Sequence, residues 1–373
     1  MPGDELTRPL LLLNNCQYYD IRAWERFEDT GLEAGAFIDG GPSFWETLGI
    51  NERNRARMSA DLRSGWLERE IDACAKLGVK LITCRDPLYP PPLLELKDAP
   101  LLLYVRGAIL TLPGTVVGIV GTRRCSAYGL KVAREMGGLA ASNGWSVVSG
   151  GAKGIDGAAH TGCLDGGGVT AAVLGTGADV VFPPEHRKLF GAIMEAGALY
   201  SEYGLGCGGN GWRFPRRNRI IAGLSSRTVV IEAPRRSGAL ITARHAAEAG
   251  RDVWAVPGRI DDERCWGSNC LIFDGAMPVV DYEFFFGTAP LSKDALPDIS
   301  EAGAAMAAKN RARETSESEK ILVALLTNHG DRTIDNLAGE AKMSAAEVFK
   351  AISMLSLRGV VFSSGSGRYS LAD

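Results

Sequence analysis

The middle of the chain alternates short apolar runs with helical stretches, and this alternation constrains the fold more than any other feature. From residue 116 the apolar runs read "TVVGIVG", "WSVVSG", "VTAAVLG", "ALYSE", "TVVIEA" and "DVWAVPG". Helical patterns separate them, at 130–143, 155–164, 186–196, from Asn218 and at 240–249. Such spacing is typical of βαβ units, in which helices cover both faces of a buried parallel sheet. The sequence therefore predicts an α/β fold with an extended Rossmann-like parallel sheet.

The flanking regions differ in composition and predict further domains. Residues 1–107 carry helical patterns and end in the Pro-rich tether "YPPPLL" and a short strand, which predicts a helical N-terminal domain. The Rossmann-like domain follows at 108–287, and an Ala-, Ser- and Pro-rich stretch predicts a linker at 288–316. Residues 317–373 show three helical stretches and then two short strands around a Gly/Ser turn. That order predicts a C-terminal winged-helix-like domain.

Composition limits the classes of function. The chain has 373 residues, a net charge of -3 and a pI near 5.9, so any nucleic-acid site must be a local patch on the surface. The eight cysteines form no CxxC pair, and we predict no metal site. The early apolar run is too short for a signal peptide or a membrane span. We therefore expect a cytoplasmic protein with reduced thiols.

Glycines and other small residues follow the predicted strands. The first strand is followed by "GTRRCS" and the second by "SGGAKGID", with a helix starting soon after each. The carboxyl ends of parallel strands form the ligand crevice of an open α/β sheet. Glycine lets backbone amides approach a ligand closely, and helix N-termini attract anions. The sequence therefore predicts an anion site at this edge of the sheet.

The motifs exclude two common nucleotide sites. The loop "GIVGTRR" lacks the GxGxxG fingerprint and the second strand ends in Ser149 rather than an acid, which disfavours NAD. No Gly-Lys-Ser or Gly-Lys-Thr occurs, which excludes a P-loop. We therefore expect neither NAD nor a nucleotide held by a P-loop. The basic residues near the loops suit a chain of phosphates; they are Arg123, Arg124, Lys153, Arg213, Arg216, Arg217 and Arg219.

The loops and their neighbours resemble the DNA-processing protein A family, also called DprA or Smf. The similar stretches include "GIVGTRRCSAYG", "SGGAKGIDGAAH", "FPRRNRIIAGLS" and "GSNCLIFDGA", and they run in the same order from about Tyr89 to Asp281. The resemblance implies a non-catalytic protein that binds and protects incoming single-stranded DNA and needs no cofactor. It also implies a homodimer that helps to load the RecA recombinase during natural transformation.

The resemblance also assigns a phosphate pocket to the motif loops. The match carries Arg123, Gly150, Gly151, Lys153, Arg217 and Asn218 into that pocket. We predict that the same loops contribute Gly121, Thr122, Ser149, Gly154 and Arg219. Phe214 either stacks on a base or packs within the protein.

An enzymatic function is the alternative to DNA binding. Asp156 and His160 lie four positions apart and share a helix face, but an acid favoured by the helix dipole and a packing histidine explain them better. Ser149 and Ser237 lack the GxSxG context of a nucleophile. The alternative is a Rossmann-type nucleotide phosphoribohydrolase, because "SGGAKGID" imitates part of a "PGGxGT" loop. The Thr and the catalytic Glu of that class are not in register, which favours DNA binding.

The sequence does not assign a single role to two further segments. The loop "SEYGLGCGGNGW" carries five glycines from Gly204 to Gly211, where the family commonly has "SEYPPG". The predicted recognition helix of the winged-helix-like domain, residues 345–357, carries a single lysine, Lys350. The partner of that helix is therefore either duplex DNA or another protein.

Overall fold

The computed structural model describes residues 2–16, 21–287, 316–357, 360–365 and 368–371. It divides into two compact units, Met1–Thr288 and Ala289–Asp373. The linker predicted at 288–316 lies outside the described residues apart from Ser316. None of the helices within these ranges combines the length and the apolar character that crossing a membrane requires.

A nine-stranded sheet forms the centre of the first unit. Its strands are β1 (Lys80–Thr83), β2 (Leu102–Gly107), β3 (Val116–Val120), β4 (Ser146–Ser149), β5 (Thr170–Leu174), β6 (Ala198–Ser201), β7 (Arg227–Val230), β8 (Asp252–Ala255) and β9 (Met277–Pro278). They lie in the order β1-β2-β6-β5-β4-β3-β7-β8-β9. The strands from β3 to β9 pair in parallel, which confirms the predicted parallel sheet.

Thirteen helices belong to the described part of the first unit. They are α1 (Pro2–Asn14), α2 (Ile21–Glu28), α3 (Ala34–Asp39), α4 (Gly41–Thr47), α5 (Glu52–Ser64), α6 (Trp66–Leu77), α7 (Ala127–Ser142), α8 (Ile155–Asp165), α9 (Arg187–Ala196), α10 (Arg213–Leu224), α11 (Gly238–Glu248), α12 (Trp266–Phe273) and α13 (Tyr282–Phe286). Strands β4, β5 and β6 are buried along their whole length, as expected for a sheet covered on both faces.

The sheet has a switch point between β3 and β7. The chain runs from β3 through β4 and β5 to β6 on one side, then returns to β7 on the other side of β3 and continues to β8 and β9. The loops that leave β3 and β7 at their carboxyl ends therefore lead in opposite directions. Open α/β sheets bind their ligands in the crevice at such a point. A ligand site is therefore expected among the loops after β3, β4 and β7.

The helical N-terminal part is continuous with the sheet. Strands β1 and β2 pair antiparallel, and β2 pairs antiparallel with β6. The aromatic core of the N-terminal helices, with Trp24, Phe27, Phe37 and Trp45, belongs to the same buried cluster as residues of the sheet. The structure therefore differs from the domain boundary predicted at 107, because residues 80–107 add two strands to the Rossmann-like sheet.

The second unit contains three helices and a small sheet within its described residues. Its elements are α14 (Glu317–His329), β10 (Arg332–Thr333), α15 (Ile334–Ala341), α16 (Ala345–Leu357), β11 (Val361–Gly365) and β12 (Arg368–Leu371). The strands lie in the order β10-β12-β11, and Leu322, Leu337, Val348 and Leu355 are buried in the core. A capping box between Ser316 and Glu319 begins α14. The winged-helix assignment of this unit stays a prediction.

Candidate nucleic-acid interface

A crevice opens at the carboxyl ends of β3, β4 and β7, at the switch point of the sheet. Its main chamber has a volume of about 520 Å³, and a side chamber of about 250 Å³ extends toward the loops after β4 and β5. The two chambers share Arg123, Ala152, Phe214 and Arg217 as lining residues, and so belong to one crevice. Of the residues predicted from the sequence, the lining includes Gly121, Thr122, Arg123, Gly150, Lys153, Phe214, Arg217 and Asn218.

The loop after β3 is held at both ends by Glu232, just beyond β7. The Thr122 amide donates to the Glu232 carbonyl oxygen over 2.7 Å. The buried Glu232 carboxylate accepts hydrogen bonds from the Ser126 amide at 2.8 Å and from the Ser126 hydroxyl at 2.5 Å. Arg123 and Arg124 lie between these anchors with exposed side chains. Since the backbone is already fixed, binding a ligand there needs little further ordering of the loop.

The loop after β4 turns into α8 at Gly154. This glycine has φ +80°, and a side-chain carbon there would lie 2.5 Å from the Thr122 carbonyl oxygen. Only glycine therefore fits. At Gly150 an added carbon would lie 2.6 Å from Asp156 Oδ2 and 2.7 Å from Arg217 Nη2. The two glycines let this loop approach the loop after β3 and two buried charged side chains.

Arg217 links the carboxyl ends of β4 and β5. Its side chain is buried, and its guanidinium donates to the carbonyl oxygens of Gly150, at 2.8 Å, and Val173. Burial lowers the pKa of Arg217 to about 10, while the Asp156 carboxylate acts in the opposite direction. Arg217 therefore remains charged at neutral pH. It braces the crevice and lines both chambers.

Asp156, in the first turn of α8, contributes a buried carboxyl group to the main chamber. Its Oδ2 accepts a hydrogen bond from the Ala152 amide over 3.3 Å. Burial raises the pKa of Asp156, and the nearby Arg217 counteracts that shift. Because Asp156 offsets part of the charge of Arg217, the attraction for an anion depends on the cations at the rim.

Four cations surround the opening of the crevice. Arg123, Arg124 and Arg236 line the main chamber and Lys153 lines the side chamber. Among the described residues, the three arginines form no ion pair. Lys153 Nζ lies 2.6 Å from Glu185 Oε1, and both side chains are exposed. An exposed pair of this kind contributes little to stability, so Lys153 can exchange its partner for a phosphate at small cost.

Two aromatic rings line the side chamber. Phe214 packs against Phe182 with ring centroids 5.4 Å apart, and Phe182 is 41% exposed. The guanidinium carbon of Arg123 lies 5.5 Å from the Phe214 ring centroid. Phe214 therefore packs within the protein and also lines the chamber. Its stacking on a base stays a prediction.

Two residues predicted for the phosphate pocket are unsuited to it. Arg219 is 2% exposed, and its guanidinium pairs with Glu202 at 2.5 Å and Asp98 at 2.8 Å. The Ser149 side chain is fully buried, and its hydroxyl donates to the Ile119 carbonyl oxygen over 2.6 Å. The prediction of phosphate contacts by these two side chains is therefore wrong, because both are committed to contacts inside the protein.

The arginine cluster lies on a helix that begins earlier than predicted. Helix α10 starts at Arg213 rather than near Asn218, so Arg217 and Asn218 lie in its second turn. Asn218 Nδ2 donates to the Gly238 carbonyl oxygen over 3.0 Å, which joins α10 to the start of α11. Arg213 stacks on Tyr203 and Trp212, and Arg216 lies 3.6 Å from Glu202. Of the four arginines, only Arg217 lines the crevice.

Several residues around the crevice were missed from the sequence. Arg236 and Ser237, in the loop between β7 and α11, line the main chamber, and Phe182 and Glu185 line the side chamber. The run "APRRSG" after the fifth predicted strand carried a signal for Arg236. Gly151, which was predicted, is buried, and its carbonyl oxygen lies 3.0 Å from His186 Nδ1.

Asp156 and His160 do not form an acid/base pair with access to a ligand. His160 is fully buried, and its Nδ1 lies 2.7 Å from the Thr170 hydroxyl. Burial lowers the pKa of His160 to about 3, helped by the charges of His186 and Arg217. His160 therefore acts as a neutral packing residue between α8 and β5.

The buried His160 predicts loss of stability in acid. Its pKa is about 3 in the folded state, against an ordinary value of 6.5, so the unfolded chain binds the proton first as pH falls. The free energy of unfolding should fall from pH 6.5 toward 3, by up to about 1.4 kcal/mol per pH unit. Asp156, with its raised pKa, acts in the opposite direction. Urea unfolding of wild type and His160→Asn at several pH values measures the effect, and an equal slope in both would contradict it.

The fold and the crevice define a class of protein. An open, Rossmann-like sheet presents an arginine-lined crevice at its switch point, without a dinucleotide fingerprint or a P-loop. Among the described residues no group of His, Cys, Asp and Glu could hold a metal ion. The chain belongs to the DNA recombination-mediator protein A family, whose model matches residues 80–288.

Individual relatives agree with this assignment. Protein Smf of Escherichia coli is 36% identical over 308 residues, 81% of this chain and 78% of the relative. Protein Smf of Synechocystis is 43% identical over 203 residues, 53% of this chain, and the match spans half of that relative's length. The X-ray structure of DNA processing protein A from Streptococcus pneumoniae has a TM-score of 0.63 and 34% identity, covering 77% of this chain and 97% of that one.

A second solved structure is described by its binding mode. DNA processing protein A from Helicobacter pylori, reported for its unique single-stranded DNA binding mode, has a TM-score of 0.51 and 28% identity. The similarity covers 56% of this chain and 95% of that one.

Proposed function

We propose that the crevice binds single-stranded DNA, and that the protein protects incoming DNA in the cytoplasm and helps to load the RecA recombinase during natural transformation. The observation that carries the proposal is the ring of exposed cations, Arg123, Arg124, Lys153 and Arg236, around the crevice at the switch point of the sheet. Arginine forks and lysine both pair with phosphate oxygens. The reported single-strand binding of the Helicobacter pylori relative supports the same ligand.

The spread of the cations favours a strand over a mononucleotide. The cations lie in the loops that follow β4, β3 and β7, which are neighbours in the sheet. Since neighbouring strands lie about 4.8 Å apart, the charges extend over about 10 Å. One phosphate group cannot reach all of them. Phe182 and Phe214 line the side chamber, where a base can enter only if it is unpaired and unstacked. A single strand offers successive phosphates and free bases together.

Homodimer formation is part of the proposal. The family resemblance implies it, and exposed apolar side chains at the end of α12, in β9 and just after β9 support it. Phe273 is 90% exposed, Val280 59% and Met277 42%. Since exposed apolar surface commonly marks protein contacts, these side chains suit contact with a second copy of the chain. Phe273→Glu is expected to convert a dimer into a monomer in light scattering.

Loading of the RecA recombinase is proposed from the family resemblance.

The proposal treats the protein as non-catalytic. In the main chamber Asp156 is held by the Ala152 amide and lies next to Arg217. A phosphoribohydrolase would need an acidic residue free to act on a ribose. Binding therefore explains the crevice better than the cleavage of a nucleotide does.

Salt-titrated binding tests the proposed function. Fluorescence anisotropy on oligothymidine should show the affinity falling with salt, with a log-log slope of about -2 to -3 for three or four neutralised phosphates. Duplex DNA of equal length should bind more weakly at the crevice, because its bases are paired and stacked. Wild type that does not bind oligothymidine would overturn the proposal. Release of adenine from AMP would favour the enzyme instead.

A further inference from the structure

We propose that Trp266 and Arg235 form a second base-stacking platform for single-stranded DNA, outside the crevice and at the carboxyl end of β8. The inference rests on the proposed function and extends the path of the strand beyond the two chambers. The guanidinium carbon of Arg235 lies 4.3 Å from the centroid of the Trp266 ring. Trp266 is 38% exposed and Arg235 is exposed. A stacked indole and guanidinium present the flat surface on which nucleobases stack.

The backbone holds Trp266 next to Arg235. Helix α12 begins at Trp266, and the amide of the next residue, Gly267, donates to the Ala233 carbonyl oxygen over 2.6 Å. A side-chain carbon at Gly267 would lie 2.6 Å from that same oxygen. The glycine therefore permits the start of α12 to contact the segment just after β7. The position of the platform is thus set by the backbone of two segments and not by side-chain rotamers alone.

The platform continues from the crevice along the edge of the sheet. Arg236 lines the main chamber, and Arg235 precedes it in the same loop. Strand β8, whose loop leads to Trp266, is the neighbour of β7. Because parallel strands lie about 4.8 Å apart, β4, β3, β7 and β8 together span about 14 Å. A strand that leaves the main chamber past Arg236 reaches Trp266 without crossing another element of the sheet.

The loop after β8 holds as many acidic as basic residues or more, which leaves the attraction for phosphate to other residues. In the loop after β8, Arg259 pairs with Asp261 and Arg264 pairs with Asp262, each at 2.7 Å. Glu263, in the same loop, is exposed and adds a negative charge. This loop therefore contributes no net positive charge. The attraction for phosphates on this side of the crevice depends on Arg235 and Arg236.

Length-dependent binding tests the platform. Oligothymidines from about 4 to about 20 nucleotides are titrated against wild type, Trp266→Ala and Arg235→Ala. The shortest oligonucleotide should bind all three proteins equally, because it fills only the crevice. The longest should bind Trp266→Ala roughly 5- to 150-fold more weakly, the range of one lost stacking contact. Arg235→Ala should also lower the salt slope by about 0.7.

Two further variants serve as controls. Trp266→Phe keeps an aromatic face and should recover most of the affinity for the longest oligonucleotide. Arg244→Ala removes an exposed arginine of α11 that pairs with Glu248, and should bind like wild type at every length. Equal binding of wild type and Trp266→Ala at all lengths would overturn the platform, and so would a loss that includes the shortest oligonucleotide. If wild type itself does not bind DNA, the proposed function fails first.

Discussion

Replacing both Arg123 and Lys153 by glutamate is expected to weaken the binding of single-stranded DNA by about 100-fold or more. Each charge-assisted hydrogen bond to a phosphate contributes about 1.5 to 3 kcal/mol, and 1.4 kcal/mol is tenfold in affinity. The two residues lie on different loops, after β3 and after β4, and both face the side chamber. The log-log salt slope should shrink by about 1.4, since two phosphates are no longer neutralised. Anisotropy at a series of salt concentrations gives both values.

A matched charge reversal separates this local effect from net charge. Lys131 and Arg134 are exposed on α7. Lys131 lies 3.7 Å from Glu135 and Arg134 lies 2.5 Å from Asp165, and exposed ion pairs of this kind contribute little to stability. Replacing both by glutamate changes the net charge by the same amount without touching a residue that lines the crevice. This variant should bind nearly as wild type does. If both double variants lose affinity equally, the crevice is not the binding site.

Replacing Arg219 by methionine is expected to lower the free energy of unfolding by about 3 to 5 kcal/mol. Arg219 and Glu202 are 2% and 3% exposed at their side chains, and their closest atoms are 2.5 Å apart. Removing the arginine leaves a buried carboxylate without its closest cation, and such a charge is costly outside water. Urea unfolding measures the loss. The DNA affinity of the folded fraction should stay near that of wild type, because Arg219 does not line either chamber.

Two partner variants test the cause of this loss. Glu202→Gln combined with Arg219→Met removes both charges and should recover part of the stability. Asp98, a second acidic partner of Arg219, is 63% exposed at its side chain, and Asp98→Asn should cost no more than about 1 kcal/mol. The assignment is wrong if Arg219→Met unfolds like wild type and instead binds DNA poorly. That result would return Arg219 to the phosphate pocket.

The sheet and its loops could be predicted because their signals are local. Each buried parallel strand is a short apolar run, and each loop at its carboxyl end carries glycines. This was enough to identify the parallel sheet and to bring Arg123, Lys153 and Gly154 toward one edge. The family resemblance added the expected ligand. It also assigned Arg217, which lines the crevice, whereas Arg219 was predicted in addition and does not line it.

The remaining features depend on contacts that are distant in sequence. Whether Arg219 faces the crevice or Glu202 follows from the rotation of α10, which the cluster of arginines does not specify. The antiparallel strands β1 and β2 flank a Pro-rich segment. They belong to the sheet only because β2 pairs with β6 and β1 pairs with β2. Arg236 lines the crevice because β7, which precedes it in the chain, pairs with β3. Strand order of this kind cannot be read from apolar runs alone.

Photo-cross-linking tests the central claim, that the crevice at the switch point binds single-stranded DNA. Oligothymidine that contains 4-thiothymidine is irradiated with the 373-residue chain, and the linked peptides are identified by mass spectrometry. We expect cross-links within residues 121–124, 150–154, 182–185 and 212–217, and their loss when Arg123 and Lys153 are both replaced by glutamate. Cross-links confined to residues 316–371, or unchanged in that variant, would contradict the account.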